Sequence, residues 1–377
     1  MTKFSVSGHV NDGFEKVRDV FETSFKDGLE AGAGLCVIKG GEVIIDLIGG
    51  TKDRKGEQPW QADTLVPVFS TTKAISALVI AWLVEQDALS YDQAAADIWP
   101  EFTQHGKGTL TIAQILSHQA GLSGITEEMK PEDWFDWEAM CARLAAQKPI
   151  WEPGTTSGYH PVIFGFLIGE IARRADKKGR SLGTILREDI CGPEDIDFYI
   201  GTPASEHGRC ADLHKPRAMA DLGELNTATK AAFLKPWSSP GGRGTAAWRE
   251  FEFGGANGHG TAGAIAKLMG LAVDGRIGDK TYLSEDTLYE LSRARISGPD
   301  LVLPFNITFA AGLMLNRPNH FYGPHESTLG HSGWGGSCAF ADPSEELTCA
   351  YVMNKQSHIL IGDPRPLALI EALYSCL

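Results

Sequence analysis

What most restricts the fold of this 377-residue chain is the position of its strand-forming segments, which lie at the two ends with helical periodicity between them. Near the N-terminus two short β-rich runs, GLCVI and EVIIDLI, flank the turn residues Lys39, Gly40 and Gly41, a hairpin signal. The last quarter adds ITFAAGLML, SCAFADP and LTCAYVMN, closed by an amphipathic helix from Pro366. The middle alternates helical segments, such as Val162 to Arg174 and Ala262 to Val273, with polar loops. The expected fold class is therefore α/β (α+β): a mainly antiparallel sheet built from N- and C-terminal segments with flanking helices, plus a helical subdomain inserted in the middle. No repeat or linker divides the chain. Residues 1–377 read as a single unit, with an α/β part at about 1–68 and 260–377 and a mainly helical part with long loops at about 69–259.

Finer patterning fills in this outline. Phe14, Val17, Phe21 and Phe25 recur at helical spacing, predicting an opening helix from Gly13 to Leu29. In VPVFSTTKAISALVIAWLVEQ, residues Ile75, Leu78, Val79, Trp82 and Leu83 form one buried helical stripe. Between Gly201 and Gly260 the chain is rich in Gly, Pro and Trp and weak in periodicity, which reads as a long surface loop. A net charge of −14 argues against nucleic acid as a partner, because affinity for phosphate backbones needs clustered Lys and Arg. The N-terminus shows no apolar signal-peptide core, and the longest apolar stretches, such as Ala74 to Val84, are about half a membrane span. Seven scattered cysteines without C-x-x-C spacing fit reduced thiols and a cytoplasmic location.

Three segments could carry chemistry. Ser70-Thr71-Thr72-Lys73 opens the best amphipathic helix, and positions i and i+3 share a helix face, so hydroxyl and amine can meet. The helix N-terminus offers free N–H groups to an oxyanion beside Ser70, and burial of Lys73 would lower its pKa toward a neutral base. Downstream, W-E-P-G-T-T-S-G-Y-H places Tyr159 between a Pro-Gly turn and a helix start, aimed at a cleft. Finally L-G-H-S-G-W-G-G-S, residues 329–337, is glycine-dense enough for its backbone to approach a ligand and to offer a second oxyanion donor. Gly330-His331-Ser332-Gly333-Trp334 fails the G-x-S-x-G elbow of an α/β-hydrolase at its fifth position. H-E-x-x-H and paired C-x-x-C are absent too, against a metal site, and a covalent route through Ser70 needs no metal and no organic cofactor.

Together, S-T-T-K, a later Tyr after W-x-P-G and a C-terminal H-S-G-W-G-G resemble the serine β-lactamase-like superfamily, and more narrowly its esterase branch, the family VIII carboxylesterases. ILSHQAGL, LSYDQAAADIWPEF and ANGHGTAGAIAKLMGLA extend the likeness over most of the chain. The resemblance implies a fold like that of β-lactamases and penicillin-binding proteins. It implies Ser70 as acylated nucleophile, Lys73 and Tyr159 as proton-transfer partners, and the N–H groups of Ser70 and Trp334 as oxyanion hole. His331, Ser332, Gly333 and Gly335 would complete the substrate-binding strand. Whether Lys73 or Tyr159 is the base stays open, since the two would titrate as a pair. Penicillin-recognising relatives usually have Tyr-x-Asn and a late Lys-Thr-Gly. Here Tyr159-His160-Pro161 and His331-Ser332-Gly333 stand instead, which suits an uncharged, partly apolar ester. The expected activity is hydrolysis of short- to medium-chain carboxylic esters, with Trp334 and the aromatic loop around Trp237 limiting the acyl group. The alternatives are a β-lactamase, a D-Ala-D-Ala peptidase or amidase, an acyltransferase, or a non-catalytic binding protein. The partner is a small-molecule ester, with no nucleic acid and no membrane, and the oligomeric state is left open.

Overall fold

Gly40 and Gly41 both take positive φ, +56° and +81°, the backbone that a two-residue hairpin turn requires. They join β2 (Gly32–Lys39) to β3 (Glu42–Gly50) in the computed structural model, which describes residues 5–377. The first four residues, the start of the stretch read as lacking a signal peptide, lie outside the described residues. Strand β1 (Val6–Val10) precedes the hairpin. The late strands are β4 (Ile296–Pro299), β5 (Asn306–Phe309), β6 (Met314–Leu315), β7 (Leu329–Ser332), β8 (Cys338–Asp342) and β9 (Leu347–Met353). One nine-stranded sheet results, in the order β1-β3-β2-β9-β8-β7-β6-β5-β4, with antiparallel neighbours throughout. The two ends of the chain meet at its centre, where β9 pairs with β2 from Leu347 opposite Lys39 to Met353 opposite Ala33.

All seven residues of β9 are buried, because helices cover both faces of the sheet. The main helices are α1 (Glu15–Lys26), α2 (Thr72–Glu85), α3 (Ile163–Ala175), α4 (Ala262–Met269) and α5 (Pro364–Tyr374). Cys349, Tyr351 and Met353 share one core with Val17, Phe21 and Phe25 of α1 and Leu369, Ile370 and Leu373 of α5. The alternate residues Ala350 and Val352 join a second core with Ile265, Leu268 and Met269 of α4. That second core continues through α2 into the helical region.

Three expectations change here. Helix α2 is buried on 11 of its 14 residues, not along one stripe, because neighbours enclose it on every side. The run ITFAAGLML is not one strand: Gly312 at φ +87° turns the chain between β5 and β6. The segment 201–260 is not simply a surface loop. Trp248 and Phe253 are buried, and His259–Gly260 pairs with both Val66–Pro67 and Phe198–Tyr199. It lacks periodicity because side chains hold it: the Asn257 amide donates to the carbonyls of Trp248 and Phe251, each at 2.7 Å. No helix among the described residues is long and apolar enough to cross a membrane.

A buried ionic cluster fastens the C-terminal helix to this frame. Arg365 donates to Asp363 (3.0 and 2.9 Å), Glu30 (3.1 Å), the Lys355 carbonyl (2.8 Å) and the Gly335 carbonyl (2.6 Å), and Tyr351 hydrogen-bonds Glu30. Replacing Arg365 by Met removes the cation between two buried carboxylates and one donor from each of two carbonyls, so the expected loss is about 3–5 kcal/mol, read from urea denaturation. Burial outweighs the neighbouring guanidinium and pushes the Glu30 carboxyl from 4.5 up to about 7. The folded form therefore holds a proton there that the unfolded chain releases. The associated stability is present below about pH 4.5 and is lost as pH rises through about 7. Glu30→Gln should flatten that decline in a series of urea midpoints against pH.

Candidate active site

Ser70 occupies a single 3₁₀ turn, Phe69–Thr71, immediately before α2. Phe69 takes φ +48°, a costly conformation for a bulky residue. Its buried ring packs 6.0 Å from Trp334 and 6.3 Å from Trp248, contacts that hold the strained turn in place. The start of α2 is clipped to residues 254–258, where the Gly258 N–H donates to Thr72 Oγ1 (2.8 Å) and Ser76 donates to the Gly254 carbonyl (2.5 Å). This fixes the Gly255 carbonyl against Lys73.

Lys73 lies one turn along from Ser70 and is wholly buried. Its Nζ is 2.7 Å from the Pro161 carbonyl, 2.7 Å from the Gly255 carbonyl and 3.2 Å from Ser70 Oγ. No carboxylate pairs with it among the described residues, and burial holds the amine well below the ordinary lysine range. A neutral amine has two N–H donors and one lone pair. With both N–H groups committed to carbonyls, the lone pair is left for the Ser70 hydroxyl. After the proton arrives, the third N–H occupies the same direction toward Ser70 Oγ. The setting thus suits a group that takes a proton from Ser70 and returns it.

Tyr159 faces the same hydroxyl. Its phenol interacts with Ser70, and burial pushes it above its ordinary value, favouring the protonated form. Lys73 Nζ lies 4.7 Å from the centre of its ring. The Tyr159 N–H donates to Asp300 Oδ1 at 3.0 Å, and the same oxygen accepts from Val302 and Leu303 at 2.9 Å each. Around this Tyr lie His118, with ring centres 4.7 Å apart, and His331, 6.1 Å away. His160, next in the chain, packs on His118. All three imidazoles are buried and held below their ordinary pKa, His160 and His331 down to about 3, so they are neutral packing groups. No group of three or more His, Cys, Asp or Glu side chains that could hold a metal ion occurs among the described residues.

The turn between β7 and β8 forms the opposite wall. Ser337 Oγ donates to the Val68 carbonyl at 2.8 Å and lies 3.2 Å from Thr71 Oγ1, tying this turn to the one that carries Ser70. Gly333 is required by that contact, since a Cβ there would lie 2.1 Å from the Val68 carbonyl oxygen. The backbone N–H groups of Ser70 and Trp334 have no hydrogen-bond acceptor among the described residues. A cavity of about 510 Å³ opens in front, walled by Ser70, Tyr159, His331, Ser332 and Trp334. Lys73, Gly333 and Gly335 do not line it. Ser332 Oγ is 3.0 Å from the Tyr322 hydroxyl, and the Gly335 carbonyl is held by Arg365. Trp237 is not in the cavity. Its indole donates to the Ile125 carbonyl at 3.0 Å, and Phe233 and Trp248 supply the aromatic wall instead. Sequence reading also missed Asp300 and the carbonyls of Pro161 and Gly255. Their role depends on tertiary approach, and no local motif marks them.

The family model described as Beta-lactamase matches residues 17–372, and the chain belongs to that family. "Esterase/beta-lactamase LipL" of Mycobacterium tuberculosis is 31% identical over 366 residues, covering 93% of this chain and 83% of the relative. Among solved structures, a penicillin-binding protein homolog from Caulobacter crescentus is 53% identical with a TM-score of 0.96, covering 99% of this chain and 100% of the other. A family VIII carboxylesterase is 40% identical with a TM-score of 0.92 at the same coverage of both chains.

The geometry is testable without a substrate. A fluorophosphonate should label Ser70 in the intact protein and leave Ser70→Ala unlabelled. A Cβ in Gly333→Ala would meet the Val68 carbonyl and shift this turn; with the Trp334 N–H serving as an oxyanion donor, the labelling rate should fall by roughly 10²-fold.

Proposed function

We propose that this protein is a serine carboxylesterase that hydrolyses short- to medium-chain carboxylic esters through an acyl-enzyme at Ser70. The observation that carries the proposal is the setting of Lys73 Nζ, buried without a carboxylate, 2.7 Å from each of two carbonyls and 3.2 Å from Ser70 Oγ, so that in the neutral amine the lone pair would face Ser70. In this reading the Lys73 amine accepts the Ser70 proton as Oγ bonds to the ester carbonyl carbon. The Ser70 and Trp334 N–H groups hold the oxyanion. As the C–O bond to the alcohol breaks, the proton passes through the Tyr159 phenol to the leaving oxygen. Water then adds to the acyl carbon, releases the acid and restores the Ser70 proton. Lys73, rather than a Tyr159 phenolate, is the base, because burial stabilises the uncharged amine and works against the phenolate.

Ester rather than lactam is supported by the wall around Ser70. The strand beside it carries a neutral His331 where penicillin-recognising relatives carry Lys, and Tyr159 is followed by His160-Pro161. The similarity to a protein named esterase/beta-lactamase and to a family VIII carboxylesterase points the same way. The seven cysteines are all unpaired, which fits a reducing compartment, and the cytoplasm is the proposed location.

Hydrolysis of p-nitrophenyl esters from acetate to laurate tests the reading, with a chromogenic cephalosporin alongside. Turnover of the shorter esters should vanish in Ser70→Ala. Cephalosporin turnover without ester turnover would replace esterase by β-lactamase. Lys73→Ala and Tyr159→Phe should each lower kcat by on the order of 10²-fold or more with folding intact. The pH profile follows from the sign of the Lys73 shift. Its working form is unprotonated, so activity is present above the depressed pKa and is lost as pH falls through it. No rise in kcat/KM should appear near the ordinary lysine value of 10.5.

A further inference from the structure

The cavity has a charge character unlike the rest of the molecule. The chain carries 48 Asp and Glu against 34 Lys and Arg, yet the lining includes two cations, Lys215 and Arg243, and no carboxylate. Arg243 is exposed at the cavity mouth and has neither an ion pair nor a side-chain hydrogen bond among the described residues. Its guanidinium sits 4.5 Å over the Trp334 ring and 5.9 Å from the Phe69 ring, beside Ser70. A guanidinium over an indole face with no hydrogen bond or ion pair keeps its N–H groups available, and these can grip a carboxylate through two parallel bonds. The backbone is shaped to hold it there. Gly241, Gly242 and Gly244 take φ of +68°, +58° and +84°, and a Cβ at Gly241 or Gly244 would meet nothing. These glycines therefore serve the course of the loop rather than close packing.

We infer that the ester cleaved at Ser70 carries a carboxylate, which Arg243 binds at the cavity mouth while the apolar part of the substrate lies along Trp334. This rests on the ester-hydrolase reading and narrows its substrate class. It also amends the expectation of an uncharged ester. The cation absent from the strand at His331 is supplied by a loop of the helical region instead. Lys215 adds positive potential on the same cavity.

The test compares matched pairs differing in one charge: mono-p-nitrophenyl adipate with p-nitrophenyl hexanoate for the acyl side, and para-carboxyphenyl with para-carbamoylphenyl butyrate for the alcohol side. The expected result is that Arg243→Gln lowers the acid-to-neutral ratio of kcat/KM in one pair by about tenfold or more, the scale of a lost charge-assisted pair. Arg243→Lys should restore part of that ratio, and added salt should erode it in the wild type. Equal ratios in wild type and Arg243→Gln for both pairs would overturn the inference. Inactivity of the wild type on every ester would instead overturn the esterase reading. Calorimetric binding of hexanoate against hexanamide then decides the role of Arg243 alone. Tighter hexanoate binding that disappears in Arg243→Gln supports it, and no difference between the two ligands ends it.

Discussion

A lysine sealed from water without a counter-ion is the constraint on which the rest of this structure depends. An ammonium so placed would be strongly disfavoured, and the protein answers with two backbone carbonyls rather than a carboxylate. A carboxylate would have fixed the charge on Lys73 and ruled out the base role proposed for it. Carbonyls do the opposite: they orient the amine in either protonation state. Much of the surrounding architecture serves to bring those carbonyls in. Pro161 precedes α3 and Gly255 lies in the segment clipped to α2 by Thr72 and Ser76, so three separate parts of the chain converge on one nitrogen.

The opposite wall of the site is held by longer leverage. The turn bearing Trp334 is tied forward to the Ser70 turn through Ser337 and backward to the C-terminal helix through the Gly335 carbonyl and Arg365. Arg365 in turn reaches Glu30, at the junction of α1 and β2. A buried ion cluster therefore helps to set where the turn bearing Trp334, the proposed oxyanion donor, stands. This explains why the cluster tolerates an unfavourable carboxyl at Glu30: its geometry fastens the N-terminal, late-strand and C-terminal parts of the molecule at one point.

Much of this was legible in the sequence, for physical reasons that can be named. The hairpin announced itself because Gly40 and Gly41 are demanded by local backbone geometry. Ser70 and Lys73 were legible because a helix face imposes their spacing. Tyr159 needed the company of other motifs, since nothing local aims a tyrosine at a serine. Helix α2 looked amphipathic because five of its large apolar residues fall in one stripe, but Ile80, several alanines and hydroxyl side chains on its other sides are buried as well. Trp237 was misplaced because an indole in an irregular segment has no periodicity to say which way it points. Asp300 and Arg243 gave no signal at all. One reaches the Tyr159 N–H from 141 residues away in sequence, and the other matters because of what does not surround it.

The pairing of β9 with β2 has a consequence for how the molecule comes into being. The centre of the sheet cannot form until the strand at Leu347–Met353 has left the ribosome, nearly the whole chain after its partner at Gly32–Lys39. Contacts so distant in sequence fold slowly, and the early hairpin meanwhile presents an open edge. Synthesis is therefore an interval of exposure for this protein, ended only when Leu347–Met353 can pair with Gly32–Lys39. A chain cut short before Leu347 loses not an appendage but the middle of its sheet.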